Sequence, residues 1–578
     1  MSFMSLLMPV LVATLATASP LSSQIMTKQD LAGVPAGWEL KAPAPGHMTM
    51  DMHIGLKEEN LDTLRQRALQ IADPDHADYG KHMSKAEIDA LTAPSKATVD
   101  AVTEWLASHG VSAGEVNSGF MKVAVTVEKA EQMLSTNYGV YHDAARDRTT
   151  VRTTKYSLPK SVHDSISLIQ PTTLFTDFGM GKARRQDKLI TARASDAKKA
   201  SACASGKFTP DCLREDYNIS GYTPTNKTTI GMTGFLKEDP STNDLSLFVQ
   251  KYTKFPKDTS YSVVTINNGT NGNSGTGEAN LDTQIVKGLT YPINNVFYST
   301  GGQPPFTPDE GTTENTNEPY LDWVQYMVGL DTVPQTISNS YGDDEQTVPR
   351  DYADKVCTQF MKLGARGVSV LVSSGDEGAA GIRDKNGQAG CHLNDGSNAE
   401  RFLPSFPPSC EWVTVVGGTT GSGTKEAGEH DGGGGFSNYY PQPDYQKAAV
   451  ASYVKGLGKS LQGMYNTSGR AYPDISAAYN NFPIYLKGDL VYYGGTSAAC
   501  PAVASVIALL NDYLVSQKRA PLGFLNPWLY KKGNDMIRDI AQGNNVDCHN
   551  KAAFPAKAGW DASTGWGVPD FVKMKKNL

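Results

Sequence analysis

Histidine is scarce in this chain, and several other features are missing altogether. Ten histidines occur in 578 residues, and only three of them, His392, His430 and His549, lie beyond residue 200. The formal net charge is −7, and a chain without a basic excess cannot neutralise a phosphate backbone, which argues against nucleic acid as a partner. Beyond the N-terminal segment no run of 18 apolar residues occurs, so we expect no membrane span.

Cysteine is absent before residue 200 and sparse after it. The seven cysteines are too dispersed for the paired spacing of a zinc site. We expect some of them to form disulfides in an oxidising compartment. Because seven is odd, at least one must stay unpaired, and Cys500 in its run of small residues is the expected free thiol. The seven are Cys203, Cys212, Cys357, Cys391, Cys410, Cys500 and Cys548.

The N-terminal segment and the glycosylation sequons indicate export. An apolar run from Leu6 to Leu15 precedes Ala16-Thr17-Ala18, a small-residue cleavage signal, which predicts a signal peptide over 1–18 and a secreted, extracellular protein. A short buried helix is the alternative interpretation of this run. Four Asn-x-Ser/Thr sequons in polar, turn-rich contexts are the predicted glycosylation sites. They are Asn218, Asn226, Asn268 and Asn466.

The chain divides near residue 200. Apolar residues recur at helical spacing in 61–72 and 96–110, and alternate as in a strand in 121–130. The stretch 181–206 is rich in Ala, Lys, Arg and Ser, as an exposed linker open to proteolytic processing would be. We therefore predict a signal peptide, a pro-domain, a processing linker and a catalytic domain, with the bounds 1–18, 19–180, 181–206 and 207–578.

Beyond the linker, strand-like and helix-like segments alternate. Continuous apolar strands separated by helices predict a mainly parallel sheet that is covered on both faces. In such sheets, sites lie at the carboxyl ends of the strands, which is where the turns "SSGD" and "GGTS" fall. The predicted strands are 229–235, 335–342, 367–376 and 412–420, and the predicted helices between them include 278–289 and 351–367.

Ser497 in "VYYGGTSAACP" is a candidate nucleophile. A serine hydroxyl reacts poorly unless an adjacent base takes its proton, and histidine is the usual base. None of the three histidines beyond residue 200 opens a helix in a His-Gly-Thr context. Each lies in a polar loop, where a solvated surface histidine is the better interpretation. The base must therefore be sought among other residue types.

The stretch "GEANLDTQIVKGL" offers a pair of carboxylates. Glu278 and Asp282 are four residues apart, so on a helix they share one face. Leu281, Ile285 and Leu289 are expected to turn part of that side toward the core. The alternative is a solvated acidic face, but like charges at this spacing destabilise an exposed helix, and no Lys or Arg stands between them.

These motifs, taken in order, resemble the sedolisin family of secreted serine-carboxyl peptidases. The family's order is kept by "EANLD", "SSGD", "GGTSAACP" and the C-terminal "RDI…GWD", and "SNSYG", "GGGFS" and "YPDIS" match as well. The stretch "DYGKHMSKAEI" resembles the family's pro-region. The resemblance implies an α/β, subtilisin-like catalytic domain with a mainly parallel sheet flanked by helices, preceded by an α+β pro-domain.

The resemblance also implies roles. Ser497 would attack the scissile carbonyl, Glu278 would take and return its proton, and Asp282 would orient Glu278. Asp376 would donate a hydrogen bond to the oxyanion from a protonated carboxyl; the alternative is a turn-forming Asp after Gly375, and Glu377 is a poorer candidate. Because a carboxylate base works where histidine is already protonated, we expect an acid optimum.

Family members bind one calcium ion near the C-terminus, and we expect a structural Ca²⁺ here. Hard cations prefer oxygen ligands, which Asp539 and Asp561 would supply as carboxylates and Ile540 and Gly559 as carbonyls. Lys557 replaces a glycine that is common in relatives.

The expected partners are peptide and protein substrates and the chain's own pro-domain, an intramolecular inhibitor released by acid, and we expect a monomer. Tripeptide release from free N-termini is the favoured activity. The alternatives are an acid endopeptidase of the same family and an inactive, secreted, peptide-binding relative.

Overall fold

The computed structural model describes residues 24–31, 33–34, 38–143, 148–173, 175, 184–185, 202–219, 221–256, 259–302, 304–313, 315–384 and 386–578. The predicted signal peptide and most of the predicted linker lie outside these residues.

The N-terminal unit is a set of antiparallel sheets with helices, as an α+β pro-domain requires. Its main sheet has the order β4-β5-β3-β9. Side chains of β5 alternate between buried and exposed, which leaves one face for the core. Val102, Trp105 and Leu106 of α3 belong to that core. The strands are β1 Ile25–Asp30, β2 Trp38–Pro43, β3 Thr49–Leu56, β4 Val116–Asn117, β5 Phe120–Thr126, β6 Gly139–Asp143, β7 Arg148–Arg152, β8 Lys155–Pro159 and β9 Ile166–Gln170, and the helices are α1 Leu61–Ala72, α2 Lys85–Thr92, α3 Lys96–Ser108, α4 Val127–Leu134 and α5 Lys160–His163.

One sequence prediction in this unit is half wrong. The stretch 121–130 was expected to be a strand, but β5 ends at Thr126 and α4 begins at Val127. The side chain of Thr126 accepts a hydrogen bond from the backbone N–H of Lys129, so it caps the helix and stops the strand.

The C-terminal unit is built on a parallel sheet with helices on its faces. Its strands, with the linker strand β10, are β10 Arg184–Arg185, β11 Thr229–Gly234, β12 Ser262–Ile266, β13 Asn294–Thr300, β14 Thr336–Asn339, β15 Asp343–Asp344, β16 Ser369–Ser373, β17 Gly381–Arg383, β18 Ala389–Gly390, β19 Ser405–Phe406, β20 Thr414–Thr420, β21 Ala427–Gly428, β22 Gly435–Pro441, β23 Gly469–Tyr472, β24 Ile475–Ala478, β25 Phe482–Leu486, β26 Asp489–Gly494, β27 Ile537–Arg538, β28 Asn544–Val546, β29 Ala552–Pro555 and β30 Val568–Pro569. The helices are α6 Pro210–Asp216, α7 Thr242–Tyr252, α8 Gly277–Thr290, α9 Tyr320–Gly329, α10 Arg350–Ala365, α11 Lys447–Leu457, α12 Thr496–Ser516, α13 Asn526–Met536 and α14 Phe571–Lys576.

The central sheet has the order β12-β13-β11-β14-β16-β20, and β24 also pairs with β20. All of these pairings are parallel, while the short β21 runs antiparallel to β20. The predicted parallel α/β fold is therefore confirmed. The four predicted strands are present as β11, β14, β16 and β20, each shorter than expected.

Helices α8 and α12 pack against each other in one core. Ala279 and Leu281 of α8 share a buried cluster with Ala498 and Ala502 of α12. Leu281, Ile285 and Leu289 lie in the core as expected, and the burial extends further, because every residue of α8 from Glu278 to Thr290 is buried. Packing against α7 and β25 as well as α12 covers the side that periodicity left polar.

Within the part of the chain that the structure describes, one helix, α12, is long and apolar enough to cross a membrane, with a mean hydropathy of 1.6. It is 89% buried inside the protein, as a core helix is.

Six of the seven cysteines form three disulfides, and the predicted free thiol is confirmed. The bridges are Cys203–Cys212, Cys357–Cys410 and Cys391–Cys548. Cys500 is free and fully buried.

The pro-domain docks on the catalytic unit through buried charges. Glu58 lies 2% exposed between two lysines of α10; its Oε2 is 2.7 Å from Lys355 Nζ, and its Oε1 accepts a hydrogen bond from Lys362. Arg65 pairs with Glu411 nearby, with Nη2 2.7 Å from Oε2. Burial alone would raise the pKa of Glu58, but the two lysine charges outweigh it and hold this pKa below its usual range.

A histidine of the same pro-domain enters a slot of the catalytic unit. The ring of His82 lies between Gly367 and Gly523, where an added side-chain carbon would come within 2.6 and 2.7 Å of it. Its Nε2 is 2.7 Å from the carbonyl of Pro521, so Nε2 carries the proton, and its buried Nδ1 has no partner among the described residues. Burial lowers the pKa of His82, and the Pro521 bond only partly offsets this.

Candidate active site

The candidate site lies where the carboxyl ends of the central strands meet the N-termini of α8 and α12. Strand β14 ends at Asn339 and is followed by Ser340. Strand β16 ends at Ser373, three residues before Asp376. Ser497 is the second residue of α12, and Glu278 is the second residue of α8. This arrangement matches the general rule for parallel sheets.

Ser497 and Glu278 lie side by side at the starts of α12 and α8. The Ser497 hydroxyl donates a hydrogen bond to the carbonyl of Ser340 at 3.3 Å, and the Ser497 side chain is near enough to the Glu278 carboxyl to oppose the rise of its pKa. Ser497 is 7% exposed and Glu278 2% exposed. Glu278 Oε1 is buried and has no partner among the described residues. The hydroxyl therefore faces a carboxyl with spare hydrogen-bonding capacity.

Asp282 completes the acidic pair one turn further along α8. It is fully buried, and its Oδ1 accepts a hydrogen bond from the Ser340 hydroxyl at 2.8 Å. The same hydroxyl lies 3.3 Å from the backbone carbonyl of Ser497. Ser340 thus connects the pair to the start of α12. Within the described residues, Asp282 Oδ2 has no partner.

The electrostatics of this pair favour a retained proton. Burial raises the pKa of Glu278 well above its usual range, and the neighbouring carboxyls of Asp282 and Glu238 raise it further. Burial likewise raises the pKa of Asp282, against the opposing hydrogen bond from Ser340. Two buried carboxyls this close cannot both ionise freely, so the pair titrates as one unit.

Asp376 is held beside the residue that precedes the nucleophile. Its Oδ1 accepts hydrogen bonds from the backbone N–H of Thr496 at 2.8 Å and from the Thr496 hydroxyl at 2.9 Å. Gly495 has a φ of 121°, and a side-chain carbon there would lie 2.8 Å from Asp376 Oδ2. A larger residue would be strained in this conformation and would collide with the carboxyl. The "GGTS" turn is thus shaped around Asp376.

The histidines set aside by the sequence analysis lie elsewhere in surface loops. His392 pairs with Glu310, His430 with Asp431 and His549 with Glu400. Glu377, which is the poorer candidate for the oxyanion donor, pairs with Arg383 at 2.7 Å.

Two residues that sequence reasoning missed belong to the site. Ser340 bonds to Asp282, and Tyr341 carries a buried hydroxyl without a partner among the described residues. Burial raises the pKa of this phenol well above its usual range, and the carboxyls of Glu238, Glu278 and Asp282 act in the same direction. Both residues stand in "SNSYG", one of the motifs that carry the family resemblance. Nothing in this motif indicates which of its side chains reaches α8.

Comparison with known proteins finds relatives of both units of the chain. Residues 36–175 match the family described as "Pro-kumamolisin, activation domain", and residues 268–524 match the "Subtilase family". The chain is 36% identical to a tripeptidyl-peptidase SED2 of Arthroderma otae, over 98% of both chains. It is also 36% identical to a tripeptidyl-peptidase sed4 of Aspergillus fumigatus, over 95% of this chain and 96% of that one. The chain belongs to the sedolisin family. Among solved structures, a Pseudomonas sedolisin in complex with pseudo-iodotyrostatin matches 64% of this chain and 97% of its own, with a TM-score of 0.48 and 24% identity.

The predicted calcium ligands of this sedolisin come together in one pair of loops. Gly559 donates its N–H to Asp539 Oδ2 at 2.8 Å, and Lys557 donates its N–H to Asp561 Oδ2 at 2.9 Å. The Thr564 hydroxyl, which also bonds to Asp561, lies 3.3 Å from the carbonyl of Ile540. Both carboxylates therefore face the loop 557–561. In the described chain no cluster of three or more His, Cys, Asp or Glu side chains fits a metal, so any metal here needs backbone oxygens.

Two observations bear on whether a cation fits these loops. Asp561 is fully buried, and burial raises its pKa to about 7 against several N–H bonds, so its negative charge lacks compensation. The Lys557 ammonium turns away, donating to the carbonyl of Gly456 at 2.9 Å and lying over the ring of Tyr453. The donor set of carboxylates and carbonyls fits a hard cation, and Lys557 does not oppose it.

The four sequons differ in exposure. Asn218, Asn226 and Asn268 are exposed, each with a positive φ typical of turns. Asn466 is half-buried, and its amide nitrogen donates to the carbonyl of Ser437 at 2.9 Å.

Two residues of the predicted linker are placed at the site of this sedolisin. Arg184–Arg185 forms a strand antiparallel to the end of β26, with Arg184 opposite Gly494. Gly494 stands three residues before Ser497. The backbone of these two residues thus lies against the end of the strand that leads to the nucleophile.

Proposed function

We propose that this chain is the secreted zymogen of an acid-active serine-carboxyl peptidase that releases tripeptides from free N-termini. The observation that carries the proposal is the position of Ser497 beside the buried Glu278–Asp282 pair, to which Ser340 connects it, in a chain whose late histidines all pair elsewhere. The chain is 36% identical to two tripeptidyl-peptidases over nearly its whole length, and this similarity supports the release of tripeptides.

In the proposed reaction, Ser497 Oγ attacks the scissile carbonyl carbon while its proton passes to Glu278. The C–N bond then breaks as Glu278 returns the proton to the leaving amine, leaving an acyl-enzyme on Ser497. Water attacks the acyl carbon, Glu278 again takes and returns a proton, and the peptide acid is released. Asp282 shares a proton with Glu278 and limits the charge that the pair must bear.

Asp376 is the proposed donor to the oxyanion. Its carboxyl is fixed by Thr496, next to the nucleophile. In its protonated form it would donate an O–H to the negative oxygen that develops on the substrate carbonyl. Protonated Asp376 as the donor and the Glu278 carboxylate as the base both operate in acid. Activity is therefore expected to fall as the pH rises toward neutral.

The decisive experiment is acidification of the purified precursor. Cleavage near residue 200 and hydrolysis of peptides with a free N-terminus are followed together, and Ser497→Ala is the control. The proposal expects both activities in the parent and neither in the variant. A Ser497→Ala chain that processes and hydrolyses as well as the parent would refute the serine mechanism.

Cleavage mode is tested with matched peptides, one free and one acetylated at its N-terminus. Tripeptide release from the free peptide alone is expected. Efficient internal cleavage of the acetylated peptide would favour the acid endopeptidase instead. Binding of peptides without any cleavage by the parent would leave the inactive, peptide-binding relative.

A structural calcium ion is part of the proposal. Asp539 and Asp561 would hold it by carboxylates, and Ile540 and Gly559 by backbone carbonyls. The ion would bind these loops together and neutralise the buried charge of Asp561. No step of the reaction passes through it.

Export, glycosylation and inhibition by the pro-domain complete the proposal. Full-length fungal relatives and three disulfides support an extracellular protein. The family match of residues 36–175 and the linker strand beside Ser497 support a pro-domain that blocks the cleft. N-terminal sequencing of the secreted protein tests the signal peptide, and enzymatic deglycosylation tests the sequons, with Asn466 expected to be the least occupied. We expect the protein to be a monomer in gel filtration. We expect it to bind neither nucleic acid nor membranes.

A further inference from the structure

One more buried carboxyl lies against the first turn of α8. Glu238 is 4% exposed and follows the central strand β11, which ends at Gly234. Its Oε2 accepts a hydrogen bond from the backbone N–H of Ala279 at 3.1 Å. Burial raises the pKa of Glu238, and the Thr276 hydroxyl and the N–H groups of Ala279 and Glu278 oppose this rise. Glu238 therefore binds the backbone of the first turn of α8, the helix that carries the proposed base.

These N–H groups are the ones that a helix leaves unsatisfied at its start. The usual solution is the side chain of the N-cap residue. Thr276 holds that position, but its side chain does not cap α8. Its Oγ1 instead accepts the N–H of Asp239 at 2.9 Å, and its own N–H donates to the carbonyl of Asp239 at 3.0 Å. The cap of α8 is thus supplied by the turn after β11.

That turn has an unusual backbone. Leu236 and Lys237, the two residues before Glu238, have φ angles of 54° and 64°. Consecutive non-glycine residues rarely adopt this left-handed conformation, because the side chain crowds the following carbonyl. Such strain persists where surrounding structure enforces it, and it is common at functional sites. Leu236 is anchored in the core, and Glu238 donates its N–H to Phe235 O at 2.9 Å, which closes the turn.

We propose that Glu238 is a positioning residue, which fixes the first turn of α8 so that the Glu278 carboxyl stays at the Ser497 hydroxyl. Glu238 itself is not assigned a contact with the substrate. The inference rests on the proposed function, since it concerns the same proton transfer. A misplacement of catalytic groups by about 1 Å can cost about 10²-fold in rate, so the first turn needs a rigid support.

Asp512 provides a matched control. It is a buried carboxyl that accepts backbone N–H bonds from Thr225 at 2.7 Å and from Lys227 at 3.1 Å, so it clamps a loop as Glu238 does. It stands on α12, about 22 Å along the helix axis from Ser497 at 1.5 Å per residue. Its loss removes a similar set of bonds far from the proton transfer.

The test compares Glu238→Ala, Glu238→Gln and Asp512→Ala in the full-length chain. Each is activated by acid, and kcat is normalised to the amount of mature chain. Glu238→Ala is expected to lower kcat about 100-fold with KM changed less than about twofold. Glu238→Gln, whose amide oxygen still accepts an N–H, should recover to within about tenfold of the parent. Asp512→Ala should lower Tm but leave kcat within about twofold.

Glu238→Asp guards against failure of the alanine variant to fold. This variant keeps the carboxyl group but places its oxygens one methylene further from α8. Its loss of kcat should be larger than that of Glu238→Gln and smaller than that of Glu238→Ala. The inference is overturned if Glu238→Ala keeps kcat within about twofold, or if the Gln and Ala variants lose it equally.

Hydrogen exchange in a Ser497→Ala background separates this inference from the proposed function. The peptide over 276–282 should exchange faster in Glu238→Ala than in the parent background, and less so in Glu238→Gln. Asp512→Ala should leave this peptide unchanged. If the parent chain shows no Ser497-dependent hydrolysis, the proposed function fails and the exchange result alone decides. Unchanged exchange in Glu238→Ala would then overturn the inference.

Discussion

Buried carboxyls are used in opposite ways at the pro-domain interface and at the candidate active site. Glu58 lies between Lys355 and Lys362, which hold its pKa below the usual range. Burial raises the pKa values of Glu278 and Asp282, and nearby carboxyls raise them further. The neighbours, rather than the residue type or the depth of burial, decide whether a carboxyl keeps its charge or its proton.

The difference gives acid two effects. Because the pKa of docked Glu58 is lowered, its contribution to docking is complete above the ordinary pKa of 4.5 and is lost as the pH falls through the lower, docked value. The pKa of docked His82 is also lowered, so docking is penalised as the pH falls below the ordinary value of 6.5. The pair in the site retains a proton over the same range. We therefore expect acid to weaken the interface while the site stays in its shared-proton form.

The largest expected effect comes from removing the base. Glu278→Gln should lower kcat about 10⁴-fold, because a carboxamide cannot take the Ser497 proton. Its Tm should not fall, because the change removes a like-charge contact with Asp282. Hydrolysis of a peptide with a free N-terminus and thermal unfolding measure the two quantities, after an added protease has cut the linker.

Asp512→Asn is the control for this change, since it neutralises a buried carboxyl on α12 far from the pair. Its kcat should stay within about threefold of the parent, as for a distant, independent site. If Glu278→Gln retained more than about a tenth of the parent kcat, Glu278 would not be the base.

The same change from Glu to Gln at the pro-domain interface should lower the stability of docking and leave kcat unchanged. Glu58→Gln leaves Lys355 and Lys362 buried without a counter-charge, and breaking one partner of such a group costs about 3–5 kcal/mol. We expect the precursor to convert at a higher pH than the parent, while the mature enzyme, which no longer carries residue 58, keeps its kcat. Conversion at a series of pH values, followed on a gel, measures the shift. An unchanged midpoint would mean that the ion pairs do not govern docking.

The parallel sheet could be predicted from the sequence because it depends on local patterns, and the candidate site residues stand in short motifs that the sequence shows. Apolar runs marked β11, β14, β16 and β20, and short motifs carried Ser497. The full burial of α8 was not predictable, because periodicity records which residues are apolar and not which neighbours cover the polar ones.

Contacts between distant segments were beyond the sequence for a related reason. Ser340 reaches Asp282 across 58 residues, and Lys355 reaches Glu58 across 297. Nothing local in "SNSYG" or in α10 specifies these partners. The fold of the catalytic unit brings Ser340 to Asp282, and the docking of the pro-domain on α10 brings Glu58 to Lys355.

Asp561 is a third type of buried carboxyl, and calcium removal tests it. We propose that a cation completes its site, so a chelator should lower the Tm of the mature enzyme by a few °C, as loss of a ligand bound only to the folded state does. Asp561→Asn should show the lower Tm from the start and no further response to the chelator. Asp535→Asn, an exposed acid in the same region, should respond as the parent does. A parent Tm that is unaffected by chelator would contradict a structural ion.

The smallest expected effect isolates the histidine at the interface. His82→Gln keeps an N–H that can reach the carbonyl of Pro521 but cannot gain a charge in acid. Because docking disfavours protonation of His82, removing its titration should move the midpoint of precursor conversion to lower pH, by about half a pH unit or less. This direction is opposite to the upward shift expected for Glu58→Gln. The two variants and their combination are compared in one pH series. A midpoint that rises in His82→Gln would show that the ring contributes packing in the slot of Gly367 and Gly523 rather than a response to acid.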